Sequence, residues 1–418
     1  MTFAPLSRYR LYGRTADYWK VLLRFGSSRE TEDSAIQELE KDFAQRFGAT
    51  SAIAMPQNRV GVHLAIRALV RPGKKIILSP YTLSDVINMV VCAGAVPVFA
   101  DIDRRSSNID PNEIEKLIDE DTDAVMVTHL HGLICDMDRI VDICTRNNLA
   151  LIEDAAQACG AHLGDRYAGT FGDAGVFSFG MYKNVNSFYG GMVLLKSAEI
   201  DVRIRGSMRD FDTMRGGALR KKAISGMLTD VATHPAVFRI LTYWVFRYAY
   251  LNNVEALNRR VRIEDDPRLK REFPTSYRAR LRPVQARLVL NQLDDIETHL
   301  EHRIDVARIY SEGLSDIDDL VLPPFFDDGR HGYLHYPIQA ERRDDLIRHM
   351  VQNGRDVAIQ HLRDCSSLDC FKEWYRDCPV SRKTASELIL LPTYPQYTLE
   401  EARKNVETIR SFFGAGNK

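Results

Sequence analysis

From about residue 50 to 195 the chain alternates short apolar runs with stretches in which apolar residues recur every three or four positions. The runs cover 51–55, 75–79, 96–100, 124–128, 149–153, 175–179 and 191–195. They are rich in Val, Ile and Phe and show little polar alternation, as strands covered on both faces do. In the gaps, Val60, Leu64 and Ala68 share one face of a predicted helix; Ile114, Leu117 and Ile118 share a second, and Ile140, Ile143 and Cys144 a third. Strands alternating with helices predict an α/β layer with a largely parallel sheet. Past residue 200 the pattern changes. Residues 203–282 show no such alternation and are rich in arginine and aromatic residues. A long amphipathic helix is predicted from about 283, its turns marked by Val284, Leu288, Asn291, Gln292 and Asp295. The tail, 332–418, mixes short strands (332–338, 356–360) with helices (341–353, 399–413). Three parts follow: a large α/β domain over 1–200, a helical insertion and connection over 201–282, and a linking helix with a small α+β domain over 283–418.

Composition narrows the function. The 418 residues carry 56 Lys and Arg against 57 Asp and Glu, a net charge of −1, which gives no global reason to expect a nucleic-acid partner. Hydrophobic and charged contents of 45% and 27% are those of a globular protein. The basic N-terminal segment has no continuous apolar core, so no cleaved signal is expected. The apolar stretch 235–251 is interrupted by Arg239 and Arg247, too short and too charged to span a bilayer. Seven cysteines, without a C-x-x-C pair or zinc-like spacing, predict a cytoplasmic protein with neither a disulfide framework nor a metal centre.

In parallel sheets ligands sit beyond the C-terminal ends of the strands. There the segment IEDAAQACGA places Asp154 at a strand end and Gln157 three residues on, and the run VFSFGMYKN places Ser178 in the next strand with Lys183 five residues beyond. Alone, Asp154 reads as a helix N-cap, Lys183 as a solvated surface lysine and Ser178 as strand filler. Together they supply an amine for a Schiff base, a carboxylate for a pyridine nitrogen, an amide for a phenolic oxygen and a hydroxyl for a phosphate. Those are the groups pyridoxal 5'-phosphate (PLP) needs from a protein.

The run IEDAAQACGA…AGTFGDAGVFSF…KN…GGMV resembles the DegT/DnrJ/EryC1/StrS family of PLP-dependent sugar aminotransferases. FAQRFGATSAIAM, VHLAIRAL and VTHLHGLICDMDRI upstream, and RLRPVQARLVLNQLDDI downstream, fit the same order. The resemblance implies fold type I, with a large PLP-binding domain and a small C-terminal domain. It implies a homodimer with shared active sites, a keto-sugar acceptor (commonly nucleotide-linked) and an amino-acid donor such as glutamate. It makes Lys183 and Asp154 the catalytic pair, Gln157 the residue against the cofactor ring and Ser178 a phosphate ligand. Relatives with histidine in place of Lys183 eliminate water instead.

Three positions depart from the family. A Gly-Thr pair that meets the phosphate is replaced within Gln57-Asn58-Arg59-Val60-Gly61, where the helix start can still bind phosphate and Arg59 either joins it or faces solvent. The ring-stacking aromatic falls at Leu83, with Tyr81 a nearby substitute. The asparagine donated by the partner subunit falls at Arg278. His129 and His131 read as structural caps of a strand end. A same-fold PLP enzyme with other chemistry, or a non-catalytic regulatory relative, stays open as the alternative to a transaminase.

The neutral average hides one charged segment. Residues 203–282 hold 18 Lys and Arg against 8 Asp and Glu, a net of +10 that leaves −11 for the remainder. Within it Val237, Phe238, Ile240, Leu241, Tyr243, Trp244, Val245, Phe246 and Tyr248 crowd together. Two readings follow: a helical insertion packed on the dimer partner with arginines at the rim, or an amphipathic element that touches anionic lipid, or a lipid-linked or diphosphate-bearing substrate.

Overall fold

The computed structural model describes residues 5–12, 18–19, 32–254, 266–359 and 361–414. All seven predicted strands form: β1 (Ser51–Met55), β2 (Lys75–Leu78), β3 (Val96–Phe99), β4 (Thr122–Thr128), β5 (Ala150–Asp154), β6 (Ala174–Ser178) and β7 (Gly191–Leu195). They make one sheet in the order β1-β7-β6-β5-β4-β2-β3. Strands β3, β2, β4, β5 and β6 are mutually parallel, and β7 runs antiparallel to both β6 and β1. Alternate residues feed two cores. Ile76, Leu78, Met126, Ile152, Val176 and Val193 meet helices α2 (Asn58–Leu69) and α3 (Ser84–Cys92) on one side. Ile77, Val125, Val127, Leu151, Phe177 and Leu194 face the other side, against α1 (Glu32–Phe47) and α4 (Met137–Arg146). A sheet so covered explains the missing polar alternation.

Helix α2 approaches the sheet closely because its second-turn residue is Gly61. A Cβ there would lie 2.7 Å from Val176 Cγ1 and 2.9 Å from Val193 Cγ2. This seats the start of α2 at the C-terminal ends of β5 and β6.

The charged segment folds as α5 (Ala198–Ser207), a strand pair between Asp212–Thr213 and Ala279–Arg280, and helices α6 (Gly216–Thr233) and α7 (Tyr243–Leu251). Its stretch 255–265 lies outside the described residues. The single long helix predicted from 283 is two: α8 (Pro283–Leu293) and α9 (Ile296–Leu314). Ala286, Val289 and Leu293 of α8 belong to the large-domain core, whereas Leu300, Val306, Ala307 and Tyr310 of α9 enter a separate C-terminal core. Helix α8 thus packs with the large-domain core and α9 with the C-terminal core.

The small domain stacks α9, α10 (Arg343–Gln352) and α11 (Leu399–Gly414) on an antiparallel sheet of β8 (Tyr336–Gln339), β9 (Ala358–Ile359) and β10 (Leu388–Leu391), with β10 central. The central strand was not anticipated, because a four-residue apolar run without alternation reads equally as helix. The N-terminal segment joins this domain: Leu6 and Tyr12 enter its core, and Arg8 donates to Asp356 at 2.8 Å. Among the described residues no helix is long and apolar enough to cross a membrane.

Candidate active site

Strand β5 ends in two carboxylates that point to opposite faces, as neighbours in a strand must. Glu153 turns inward and is spent on structure. Its Oε2 meets His129 Nε2 at 2.9 Å, and its carboxylate accepts from the Gly169 and Gly172 amides. His129 is thereby the structural cap expected of it. Asp154 turns the other way, 4% exposed, and its Oδ1 accepts from Asn58 Nδ2 and from the Ala156 amide, both at 3.1 Å. Lys183 sits half-buried on the loop from β6 to β7. Burial raises the Asp154 carboxyl above its usual range, opposed by the Ala156 amide and then by the Lys183 charge. Burial also lowers the Lys183 amine, opposed by Asp154. The two groups thus share one electrostatic environment at the strand ends.

The remaining predicted residues fall unevenly around this pair. Ser178, half-buried, accepts from the Gly180 amide at 3.3 Å and keeps its hydroxyl hydrogen for another acceptor. Gln157 accepts from the His131 amide at 3.0 Å through Oε1, and its NH2 group donates to no described residue. The Val60 side chain is core, fully buried, and its amide is taken by Gln57 O at 3.2 Å, so Val60 offers nothing to a ligand. At the start of α2 the Asn58 and Arg59 amides have no intrahelical partner. The Asn58 side chain is not a phosphate donor but a support for Asp154. The Arg59 guanidinium, part-exposed, pairs with Asp85 at the start of α3 and donates to Tyr277 Oη at 3.0 Å, with Lys270 bonded to the same carboxylate. Tyr81 is corrected as a stacking substitute. Its ring is wholly buried among Ile102, Leu130, Ala358, Leu362, Leu388 and Leu390, where its strand pairs with Arg363–Asp364, so no ring face is left to offer. Leu83 stays half-buried beside it, and Arg278 is exposed on the turn after Thr275–Tyr277.

The model of the DegT/DnrJ/EryC1/StrS aminotransferase family matches residues 22–237 and 246–410. The chain belongs to this family. A spore coat polysaccharide biosynthesis protein, SpsC, of Bacillus subtilis is 30% identical over 386 residues, 90% of this chain and 88% of that protein. A GDP-perosamine synthase of Caulobacter vibrioides is 29% identical, over 76% of this chain and 74% of its own. Among solved structures, an aminotransferase from Psychrobacter cryohalolentis superposes over all of both chains with a TM-score of 0.77 at 21% identity. The fold is that of fold type I PLP-dependent transferases, and this member of the DegT/DnrJ/EryC1/StrS family is an aminotransferase.

Sequence reading passed over several groups that tertiary structure brings to the pair in this aminotransferase. The loop 330–335 zips onto the loop after β4: Gly332 N donates to Gly132 O at 2.7 Å and Leu334 N to His131 O at 2.9 Å. Gly132, at φ +93°, permits the contact, since a Cβ there would lie 3.0 Å from Tyr333 N. The zipper sets His131 and His335 near Lys183, with His331 beside His131. Burial, then the Lys183 charge, lowers His131 to about 3; burial, with His131, Lys183 and Arg303, lowers His335 to about 3. Both rings are neutral at ordinary pH. Arg303 of α9 is 1% exposed, and among the described residues its three guanidinium nitrogens have no hydrogen-bond partner within bonding distance, although its charge acts on the Tyr12 hydroxyl. It lies 6.0 Å from the Tyr12 ring centroid, and Tyr12 lines a cleft with Arg8, Tyr9, Arg10, Tyr182 and His335. An arginine in a helix gives no such signal, because its counter-charge, or the lack of one, comes from elsewhere in the chain.

Proposed function

We propose that this site holds PLP and transfers an amino group from an amino-acid donor, such as glutamate, to the carbonyl of a keto-sugar, nucleotide-linked in the first instance. The buried Asp154 and the half-buried Lys183, coupled through their charges at the sheet edge, carry the reading. The groups present fit the cofactor. Asp154 has Oδ1 fixed by Asn58 and Ala156, which leaves Oδ2 to accept from a pyridinium N–H. The Asn58 and Arg59 amides at the start of α2, with the Ser178 hydroxyl, suit a phosphate dianion. The spare NH2 of Gln157 suits the ring's phenolic oxygen. When bound, PLP supplies an electron sink for a carbon attached to the nitrogen it carries.

Lys183 Nζ has two tasks. Burial disfavours its charged form, so the amine is available as a nucleophile that holds the cofactor. Once released by the donor, the same nitrogen is placed to carry a proton from the donor's α-carbon to the cofactor. A lysine here, where histidine would favour elimination, supports transamination over dehydration. The unpaired Arg303 guanidinium supports an anionic group on the donor near the cleft. The relative named GDP-perosamine synthase supports a nucleotide-linked sugar as acceptor. A homodimer, with Arg278 reaching a second subunit's site, completes the reading.

Dialysed protein is expected to show a visible cofactor band that Lys183→Ala abolishes, and glutamate is expected to convert the cofactor to its amine form. Mass spectrometry of candidate keto-sugars then identifies the acceptor. No band overturns the PLP assignment. A band that no amino acid converts favours the regulatory alternative.

A further inference from the structure

The surface of helices α6 and α7 is inverted relative to an ordinary insertion. Their inner faces are anchored. Leu219 and Ala223 pack with Leu11, Tyr18 and Phe188, and Gly226 lets Phe188 approach, since a Cβ there would lie 2.9 Å from its ring. Tyr243 Oη donates to Val351 O at 2.7 Å, and Phe238 is buried beside Tyr243. The outer faces carry large apolar groups. Leu228 is 66% exposed, Ile240 79% and Leu241 61%, and Ile224, Val231, Trp244, Val245 and Tyr248 are exposed with them. A π-helical turn, Phe238–Thr242, leads into α7 and includes the outward Ile240 and Leu241. An apolar face of this extent marks a contact.

Charge selects the partner. Between Arg215 and Val254 stand six Lys and Arg and a single acid. That acid, Asp230, is 5% exposed and bonded to Arg10, so the pair of helices shows no exposed carboxylate. At the two-fold axis a contact with a second copy sets a patch against itself; there it would bring these bases onto one another, with Arg239 seen to pair with an acid, Glu401 at 3.8 Å. The family model matches α6 and the end of α7 and passes over only 238–245, which holds Ile240, Leu241, Trp244 and Val245.

We propose that the α6–α7 knuckle seats the enzyme on an anionic lipid surface. Aliphatic side chains enter the headgroup boundary, Trp244 and Tyr248 sit at the interface, and the surrounding Lys and Arg face the phosphates. The proposal is independent of the acceptor's identity.

The test uses full-length, PLP-loaded protein floated with phosphatidylcholine vesicles, with and without phosphatidylglycerol. Capture is expected only with phosphatidylglycerol, weakening as salt rises, with a blue shift in emission lost in Trp244→Phe. The double variant Ile240→Asp, Leu241→Asp is expected to lose capture about tenfold or more, the scale for two aliphatic groups kept from an apolar boundary. Its donor half-reaction and its mass by light scattering should match the parent's. Absence of capture, or equal capture by the variant, overturns the proposal. A variant whose mass halves overturns it in favour of a contact between copies, and parent protein held only by a co-purifying acidic protein overturns it in favour of that partner.

Discussion

Asn58 stands at the start of α2, against the end of β5. Its amide donates to Asp154, whose carboxyl burial already raises. Removing that donor should raise the carboxyl further, because the charged form loses a hydrogen bond. Asn58→Ala is therefore expected to weaken PLP binding by about tenfold, the scale of a hydrogen bond to a charged group. The acid limb of PLP affinity against pH should also move to higher pH. An unmoved limb, measured by titrating the visible band, would show that Asn58 does not hold Asp154. Arg303 tests a different balance. A buried cation without a counter-charge destabilises the empty protein, and an apolar replacement removes that cost. Arg303→Met should leave Tm equal or higher while weakening the amino-acid donor by about tenfold or more. A lower Tm with unchanged donor binding would make Arg303 a structural residue.

At the scale of elements, the site depends on how closely α2 lies against the sheet. Gly61 was read only as part of an unusual helix start. Its significance is that Val176 and Val193 fill the space a side chain would take. Gly61→Ala is expected to lift α2, costing about 1–3 kcal/mol in urea unfolding, and to loosen PLP because the first-turn amides move with the helix. Unchanged stability would mean that the valines yield. The strands were legible from their apolar runs because both faces of the sheet are covered. The break between α8 and α9 was not, because the apolar periodicity runs on through Asp294 and Asp295 while the two helices serve different cores.

For the whole molecule, packing places neutral histidines in the interior. His131 is lowered to about 3, and His63 to about 4, chiefly by burial; His331, also chiefly by burial, falls well below its usual value. The unfolded chain binds these protons near pH 6.5, whereas the folded protein refuses them until much lower pH. Their contribution is complete above about 6.5 and is lost as pH falls toward the folded values, at up to about 1.4 kcal/mol per pH unit for each ring. Urea unfolding at pH 7.5 and pH 5 should show a marked loss at pH 5, smaller in His131→Asn. Equal stability at the two pH values would mean the rings are charged or exposed.

The apolar runs made the sheet and the alternation of strands and helices legible in the sequence, and chain position alone proposed Asp154, Gln157, Ser178 and Lys183 as a site. These follow from local patterns: apolar runs, turn spacing, and chemistry placed just past strand ends. Tertiary structure decided what each group is free to do. It turned Glu153 inward and Asp154 outward, set Asn58 on Asp154, committed Arg59 to Asp85, buried Tyr81 between domains and left Arg303 without a hydrogen-bond partner among the described residues. It also decided which face of the basic, aromatic segment looks outward. A side chain's partners lie far along the chain, and burial and pairing are properties of the packed whole.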